Sequence, residues 1–408
     1  MEKVGIKFTN KDIFNLQFDI SNIHPSLANG IRRTILDEVE TLGFKTEPFE
    51  ESDINIIENT SSLHNEFLLH RIGMIPIYCP NLDKYDTDEF RFILDVSNDG
   101  STNILNVTTN DFKIVKTNKK VSNNPDVYED SETFFPINSE TGEYILITKL
   151  KSNPSGGGET IKLEGKAMKG SGKMNARWSP VSCVVFNNKR DPVKNALALQ
   201  QYISKSQENQ DTKLSADEVA VLTKRFNLLD ADRYFMTDKN DNPNVFEFTI
   251  ESIGSLKSSY ILINSIFILN TKITKFMLEF IKAIKSQSDM ITIAKSDTIL
   301  NAFDITIQNE THTLGNLLQS YVLELYPEIN FVAYLQPHPL KDYIVLRIGV
   351  NDNNIDTVTS ILEKICDHIK LLCTQIRDTV IKELNIQSTN IKLVRKKSGR
   401  PESKSLEK

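Results

Sequence analysis

Apolar positions along the chain change rhythm several times. Between residues 11 and 20 they alternate, with Phe14, Leu16, Phe18 and Ile20 on one face, as in a half-buried strand. Pro25 suits a first helical position. After it, Leu27, Ile31, Ile35 and Val39 recur every four residues and predict a helix with one buried stripe. Arg32 and Arg33 fall off that stripe. Residues 48–180 read as short β-rich pieces separated by turn clusters at 97–101 and 153–158. One helix is expected there, near 61–72. His70 and Arg71 occupy its last turn, Gly73 suits the C′ position, and Pro76 blocks continuation.

Residues 190–230 read as helical, and Ser215 with Glu218 forms a capping-box pattern. Residues 245–251 alternate as a strand, and Gly254 precedes a long helix. In that helix Leu262, Ile266, Leu269, Ile273, Phe276 and Phe280 are spaced by alternating steps of four and three. A second long helix repeats the rhythm with Ile355, Val358, Leu362, Ile365, Ile369, Leu372 and Ile376. Such seams can interdigitate at roughly 20°. Each runs for only about three heptads, which favours mutual packing within a domain over a free coiled coil.

A repeat is hidden in these elements. Ser26-Leu27-Ala28-Asn29 opens the first helix and Thr313-Leu314-Gly315-Asn316 opens another, 287 residues downstream (313 − 26). Phe18 and Ile20 meet Ile305 and Ile307 at the same offset, and Phe44 meets Phe331. The downstream helix carries Leu314, Leu317, Leu318, Tyr321, Val322 and Leu325, and has Gln319 and Ser320 where the first has Arg32 and Arg33. The copies share a packing plan and differ on an outer face. A repeat of this kind predicts a pseudo-twofold pair within one chain, made intramolecular by a connection expected at 286–298.

Composition narrows the chemistry. The chain has 408 residues, 39% of them hydrophobic and 25% charged, with 48 basic against 54 acidic side chains and a net charge of −6. That balance does not favour gripping nucleic acid by its phosphates. Cys79, Cys183, Cys366 and Cys373 are scattered and form no CxxC, so neither a cysteine zinc site nor a disulfide framework is expected. The N-terminal stretch lacks the apolar run of a signal peptide. The apolar stretch 260–269 is short and interrupted by Asn264 and Ser265, which argues against a membrane span. Gly170-Ser171-Gly172-Lys173-Met174 hints at a phosphate loop but has Met where Ser or Thr is required and Ala167 where Gly is required. Asp230 and Asp232 form an isolated carboxylate pair. His64 and His70 are six apart and fall on different helical faces.

The repeat motifs carry a family resemblance. The run Ser26-Leu27-Ala28-Asn29-Gly30-Ile31-Arg32-Arg33 resembles the first helix of alpha-type RNA polymerase subunits: bacterial alpha, the archaeal D-type protein and the third-largest subunit of eukaryotic RNA polymerase II. The segment 58–67, with Glu66, and then His70-Arg71-Ile72-Gly73-Met74-Ile75-Pro76, resembles the next signature of the archaeal and eukaryotic branch. Ala176-Arg177-Trp178-Ser179-Pro180-Val181 resembles its re-entry motif. His312-Thr313-Leu314-Gly315-Asn316, then Ala333-Tyr334 and Pro337-His338-Pro339-Leu340, resemble the partner family, the archaeal L-type protein and the eleventh subunit of polymerase II. The fusion of both in one chain resembles the arrangement in large cytoplasmic DNA viruses.

The reading that follows is an α+β fold. Two dimerisation units, 1–47 with 181–285 and 299–394, pair by a pseudo-twofold. A β-rich domain (48–180) is inserted in the first, 286–298 is a linker, and 395–408 is a polar, disordered tail. The resemblance implies a non-catalytic assembly platform of a multisubunit DNA-directed RNA polymerase, serving transcription by recruiting the largest and second-largest subunits. Arg32 and Arg33 are implied at the contact with the second-largest subunit. Leu262, Ile266, Leu269, Ile273, Phe276 and Phe280, with Val358, Leu362, Ile365, Ile369, Leu372 and Ile376, are the dimerisation positions. Asn29, Glu66, His70, Arg71, Gly73, Pro76, Trp178, Pro180, His312, Leu314, Gly315, Asn316, Pro337, His338 and Pro339 are the family motif. No catalytic or metal-ligating residue is expected, nor any cofactor in this chain, magnesium belonging to the catalytic subunit. Small polymerase subunits are expected partners, DNA and RNA are contacted only indirectly, and neither a membrane nor a homodimer is expected. The place is the cytoplasm, with the virion if the source is viral, or the nucleus if it is cellular. The alternative is a free-standing protein that interacts through its long helices.

Overall fold

The computed structural model describes residues 3–99, 102–116, 127–153, 157–208 and 214–385. The chain opens with an antiparallel hairpin, β1 (Gly5–Lys11) and β2 (Asn15–Ser21). Leu16, Phe18 and Ile20 of β2 are buried, whereas Phe14 lies before the strand, largely exposed. Helix α1 (Pro25–Asp37) follows. His24 caps it by accepting the Ser26 amide on Nδ1 at 3.1 Å, which satisfies one of the orphan donors of the first turn. Leu27, Ile31 and Ile35 bury the stripe, and Val39 continues it past the helix end.

The chain then leaves this unit. Strand β3 (Glu40–Gly43) already belongs to the inserted region, because it pairs with a strand some 130 residues later (171 − 40 = 131). There follow β4 (Ile54–Asn59), α2 (Asn65–Gly73), β5 (Phe90–Ser97), β6 (Leu105–Thr108), β7 (Phe112–Lys116), β8 (Val127–Glu129), β9 (Leu146–Leu150), β10 (Thr160–Gly165) and β11 (Met168–Ser171). The main sheet runs β4-β10-β5-β7-β8, with β11-β3 and β6-β9 as separate pairs. Its core is aromatic: Phe44 meets Phe92 edge-on at 5.3 Å, and Phe92 also contacts Phe112, Phe134 and Phe135.

The chain re-enters through β12 (Val181–Asn188), makes a helical excursion α3 (Pro192–Glu208) and α4 (Ala216–Leu229), and returns along β13 (Val245–Ser252) into α5 (Ser258–Lys285). The expected capping box at α4 is formed, with Ser215 Oγ accepting the Glu218 amide and Glu218 Oε2 accepting the Ser215 amide at 2.8 Å. The second unit comprises β14 (Ile291–Lys295), β15 (Ala302–Gln308), α6 (His312–Leu325), β16 (Phe331–Leu335), β17 (Tyr343–Gly349) and α7 (Ile355–Glu383).

The two units have one topology. The first sheet has the order β1-β2-β13-β12 and the second β14-β15-β17-β16, both antiparallel throughout. The 287-residue offset carries β2 onto β15 and the start of α1 onto the start of α6. It ends there. Phe331 lies on β16 in the second sheet, whereas Phe44 follows β3 and packs in the core of the insertion. The strand equivalent to β16 is β12, displaced by the inserted domain, so Phe44 and Phe331 are not counterparts.

Two boundaries also shift. The insertion starts at β3, ahead of residue 48. The segment 286–298 is not a plain linker, because β14 lies within it and pairs with β15; only 286–290 connects the units. The helix expected at 61–72 begins at Asn65, with His64 as its cap. The apolar stretch at 260–269 is part of a 28-residue helix that is long and apolar enough to cross a membrane. In the fold, eleven of its residues are buried, among them the whole expected seam, and both sheets' cores continue through it as one. The tail at 395–408 lies outside the described residues.

Candidate assembly interface

The contact between the units is built from reciprocal pairs. Helices α5 and α7 pack on each other, and so do α1 and α6. Helix α7 crosses over to touch β1 of the first sheet, and α5 crosses over to touch β14 of the second. Each contact therefore has its counterpart with the units exchanged, the mark of an isologous interface. All twelve expected seam residues, from Leu262 to Phe280 and from Val358 to Ile376, are buried. At Gly30 a Cβ would lie 3.7 Å from the Leu269 side chain, in ordinary contact, so α1 and α5 sit close there.

Helices α1 and α6 run antiparallel. Arg33, near the end of α1, donates from Nε to Thr313 Oγ1 at the start of α6, at 2.9 Å. His24, the cap of α1, lies 5.7 Å ring to ring from Tyr321 near the end of α6. Arg33 also pairs with Asp37 at 3.3 Å. So Arg33 is spent on the junction between the units. Arg32 is half-buried and, among the described residues, bonds within its own helix, donating from Nε and Nη2 to Asn29 Oδ1 at 3.1 and 3.0 Å. The two arginines, expected together at an outside contact, thus divide between an inner and an outer face.

A charged triad closes this end of the junction. Lys272 of α5 lies 2.5 Å from Glu38, just past α1, and 3.2 Å from Glu310, just before α6. All three side chains are about four-fifths buried or more. Burial alone would depress the Lys272 ammonium, but the Glu310 and Glu38 carboxylates outweigh it and hold its pKa above the ordinary lysine value. Burial pushes Glu310 above the usual carboxylate value, and Lys272 offsets only part of that. Sequence reading missed this triad. Its only signal was Lys272, one step before the seam residue Ile273, on a helix whose seam is otherwise apolar.

The family-motif residues fall into two groups. Most organise packing. Arg71 ties α2 to β9 by donating to the Ile147 and Leu146 carbonyls at 2.9 Å each. Gly73 is the last residue of α2 and does not adopt a left-handed conformation, so its expected C′ role does not hold. It allows close approach instead: a Cβ there would overlap the Arg177 guanidinium and Thr46 Oγ1. Arg177, 5% exposed, pairs with Glu47 at 2.7 Å. Trp178 fits between Gly43 and Gly170, where side chains would collide with the indole. Pro76 precedes Ile77, which bridges to Leu42, and the Pro180 carbonyl accepts the Ile253 amide at 3.1 Å. In the second unit Leu314 is fully buried, His312 meets Tyr334 edge-on at 5.8 Å, and Asn316 accepts from Ser320 at 3.4 Å. Gly315 gives the Tyr334 ring room to lie on α6.

The rest are exposed. Glu66 and His70 line a shallow pocket on α2 with Phe49 and Phe67, and Phe67 is 68% exposed. Pro337, His338 and Pro339 form the exposed turn between β16 and β17, where His338 Nδ1 accepts the Leu340 amide at 3.1 Å.

Other candidates from the sequence dissolve into structure. Gly170 and Ser171 end β11, and Lys173 donates its amide to the Asp37 carbonyl at 2.8 Å, so no strand–loop–helix phosphate cradle exists there. Asp232 pairs with Arg190 and Asp230 with Arg233. Among the described residues no group of three or more metal-ligating side chains converges.

Comparison with known proteins matches this architecture. Residues 17–117 and, separately, 302–379 match the RNA polymerase Rpb3/Rpb11 dimerisation domain. The chain is a fused alpha-type RNA polymerase subunit. Among its relatives is the RNA polymerase II subunit rpb3 of Dictyostelium discoideum, 29% identical over 283 residues, covering 63% of this chain and 88% of that one. The polymerase subunit Rpo3 of Pyrococcus furiosus is 25% identical over 291 residues, covering 69% and 99%. A conjugation stage-specific protein of Tetrahymena thermophila is 30% identical over 203 residues, covering 46% of this chain and 60% of its own length. The fused subunit therefore works in transcription alongside other polymerase subunits, and its second matched domain is the one carried by α6 and α7.

Proposed function

We propose that the fused subunit is a non-catalytic assembly platform of a multisubunit DNA-directed RNA polymerase, an intramolecular equivalent of the alpha-type dimer. The supporting observation is the reciprocal packing of α5 on α7 and of α1 on α6 between two units that each match the dimerisation domain. Both seams are buried inside the chain and so are already used within it; on this reading the chain does not pair with a second copy through them. The pair then recruits the two largest subunits, with Arg32 on the side of the second-largest and the second unit toward the largest. The exposed motif face of α2 and the turn at 337–339 offer further contact surface, suited to small polymerase subunits. The chain needs no cofactor of its own, magnesium residing in the catalytic subunit, and it meets DNA and RNA only through its partners. It works away from membranes: in the host cytoplasm and virion, as viral transcription requires, or in the nucleus if the source is cellular.

The test is a tagged purification from the native source with mass spectrometry of stoichiometric partners. Recovery of two much larger chains, with nucleotide-polymerising activity in the complex, is expected. Recovery of the chain alone or as a homodimer would overturn the platform role.

A further inference from the structure

The two long helices correspond position by position. Leu262 and Val358 are 96 residues apart (358 − 262), as are Phe280 and Ile376. At that offset Lys272 corresponds to His368 (368 − 272 = 96). The pseudo-twofold therefore creates two related pockets. One lies under Lys272, between the end of α1 and the start of α6. The other lies under His368, between the start of α1 and the end of α6.

The pockets have diverged. In the first, the Lys272 ammonium fills the space between Glu38 and Glu310. The second is an open groove of about 1010 Å³, lined by His24, Asp238, Asn244, Tyr321, Glu324 and His368 among others. An imidazole stands where the first has its ammonium, and burial pulls both His24 and His368 below the ordinary histidine value. Asp238 comes from the first unit and Glu324 from the second, and they repel each other across the groove. Neither has a salt bridge to a lysine or arginine among the described residues, although Lys239 sits exposed at the rim.

The floor is also unsatisfied. Tyr321 is 1% exposed and sandwiched between His24 and His368, with ring centres 5.7 and 5.6 Å away. Its hydroxyl, beside the His24 backbone, makes no well-formed hydrogen bond, and neither does the buried Asn244 Oδ1. Buried polar atoms left without partners are costly, and a cleft that holds two of them is prepared for a polar occupant.

We propose that this groove receives a lysine or arginine side chain from another polymerase subunit, which takes between Asp238 and Glu324 the place that Lys272 takes in the related pocket. This rests on the platform reading, and it adds where and by what chemistry a partner docks. A guanidinium or ammonium supplies donors to the carboxylates and to Asn244, and its apolar stem lies along Leu323 and Leu372. The site is composite, since neither unit alone has both carboxylates. Docking there therefore reads whether the halves are paired.

The test uses the assembled complex carrying the photo-crosslinking residue p-benzoylphenylalanine at Leu323, which lines the groove and is 48% exposed. The expected crosslink is to a lysine- or arginine-containing segment of another polymerase subunit. Glu324→Lys and Asp238→Lys should lower its yield about tenfold, and Glu324→Gln less, with the fused subunit still folded and bound to its large partners. Absence of a crosslink, a crosslink only to a segment without basic residues or to residues 386–408 of the same chain, or a yield indifferent to charge reversal would overturn the proposal alone. Failure of the unsubstituted chain to co-purify with large subunits would overturn the platform reading and this proposal with it.

Discussion

Arg33 of α1 donates to Thr313 of α6 across the junction between the two units, while its neighbour Arg32 turns to Asn29 in its own helix. One helical step, about 100° of rotation, separates a residue that holds the halves together from one free to face a partner.

That difference is measurable. Arg33→Ala should lower stability by about 1 kcal/mol, a charged hydrogen bond discounted for its partial exposure. Arg32→Glu should leave the melting temperature almost unchanged and reduce recovery of the second-largest subunit in a tagged purification. If Arg32→Glu melts early, or Arg33→Ala does not, the division of roles is wrong.

Lys272 should be far more sensitive. Truncation to Ala leaves Glu38 and Glu310 buried without their cation and should cost about 3 kcal/mol, read by denaturant unfolding. Its pH dependence has a definite sign. The folded-state pKa of Lys272 is raised, so its contribution is complete below the ordinary value of 10.5 and is lost as pH climbs through the folded value. The Glu310 pKa is raised too, so its contribution is present below 4.5 and fades as pH rises from there. The stability gap between wild type and Lys272→Met should therefore narrow above pH 10.5. A gap that stays constant into strong alkali would sink the ion-triad account.

Gly315 offers a test of the repeat. Its counterpart by offset is Ala28, which α1 buries without strain, yet a Cβ at 315 would overlap the Tyr334 ring. Gly315→Ala should cost about 1–3 kcal/mol by overpacking, and Tyr334→Ala should be less harmful in that background than in the wild type. Additive effects would show that the two residues do not constrain each other.

A cut in the connection should not separate the halves. With a protease site inserted at 286–290 and cleaved after folding, the fragments should co-elute on gel filtration, held by the α5–α7 and α1–α6 contacts. Separation at micromolar concentration would mean that covalent linkage, and not the interface, maintains the pair.

Much of this molecule could be read from sequence, because its information is local and periodic. The alternation of Leu16, Phe18 and Ile20, the four-residue stripe of α1 and the seams of the long helices are consequences of strand and helix geometry, and each of those residues is buried except Ile355 at the start of α7, which is partly buried. The repeat was legible as far as β2 and the start of α1 share one uninterrupted spacing with β15 and α6. It failed at Phe44, because an insertion breaks linear correspondence while leaving the sheet order intact. Gly73 misled for a related reason. A glycine at a helix end usually answers a backbone need, and here it answers the distant Arg177 and Thr46.

The sequence by itself determined the strands and helices that carry a clear apolar period, which of their faces are apolar, and that two similar units share one chain. Tertiary structure alone decided that Arg33 points inward and Arg32 does not, that Lys272 joins two carboxylates far apart in the chain, and that the equivalent pocket under His368 stays open. These depend on where side chains meet after the sheets and helices have packed. Packing direction and long-range electrostatics have no period along the chain from which they could be read.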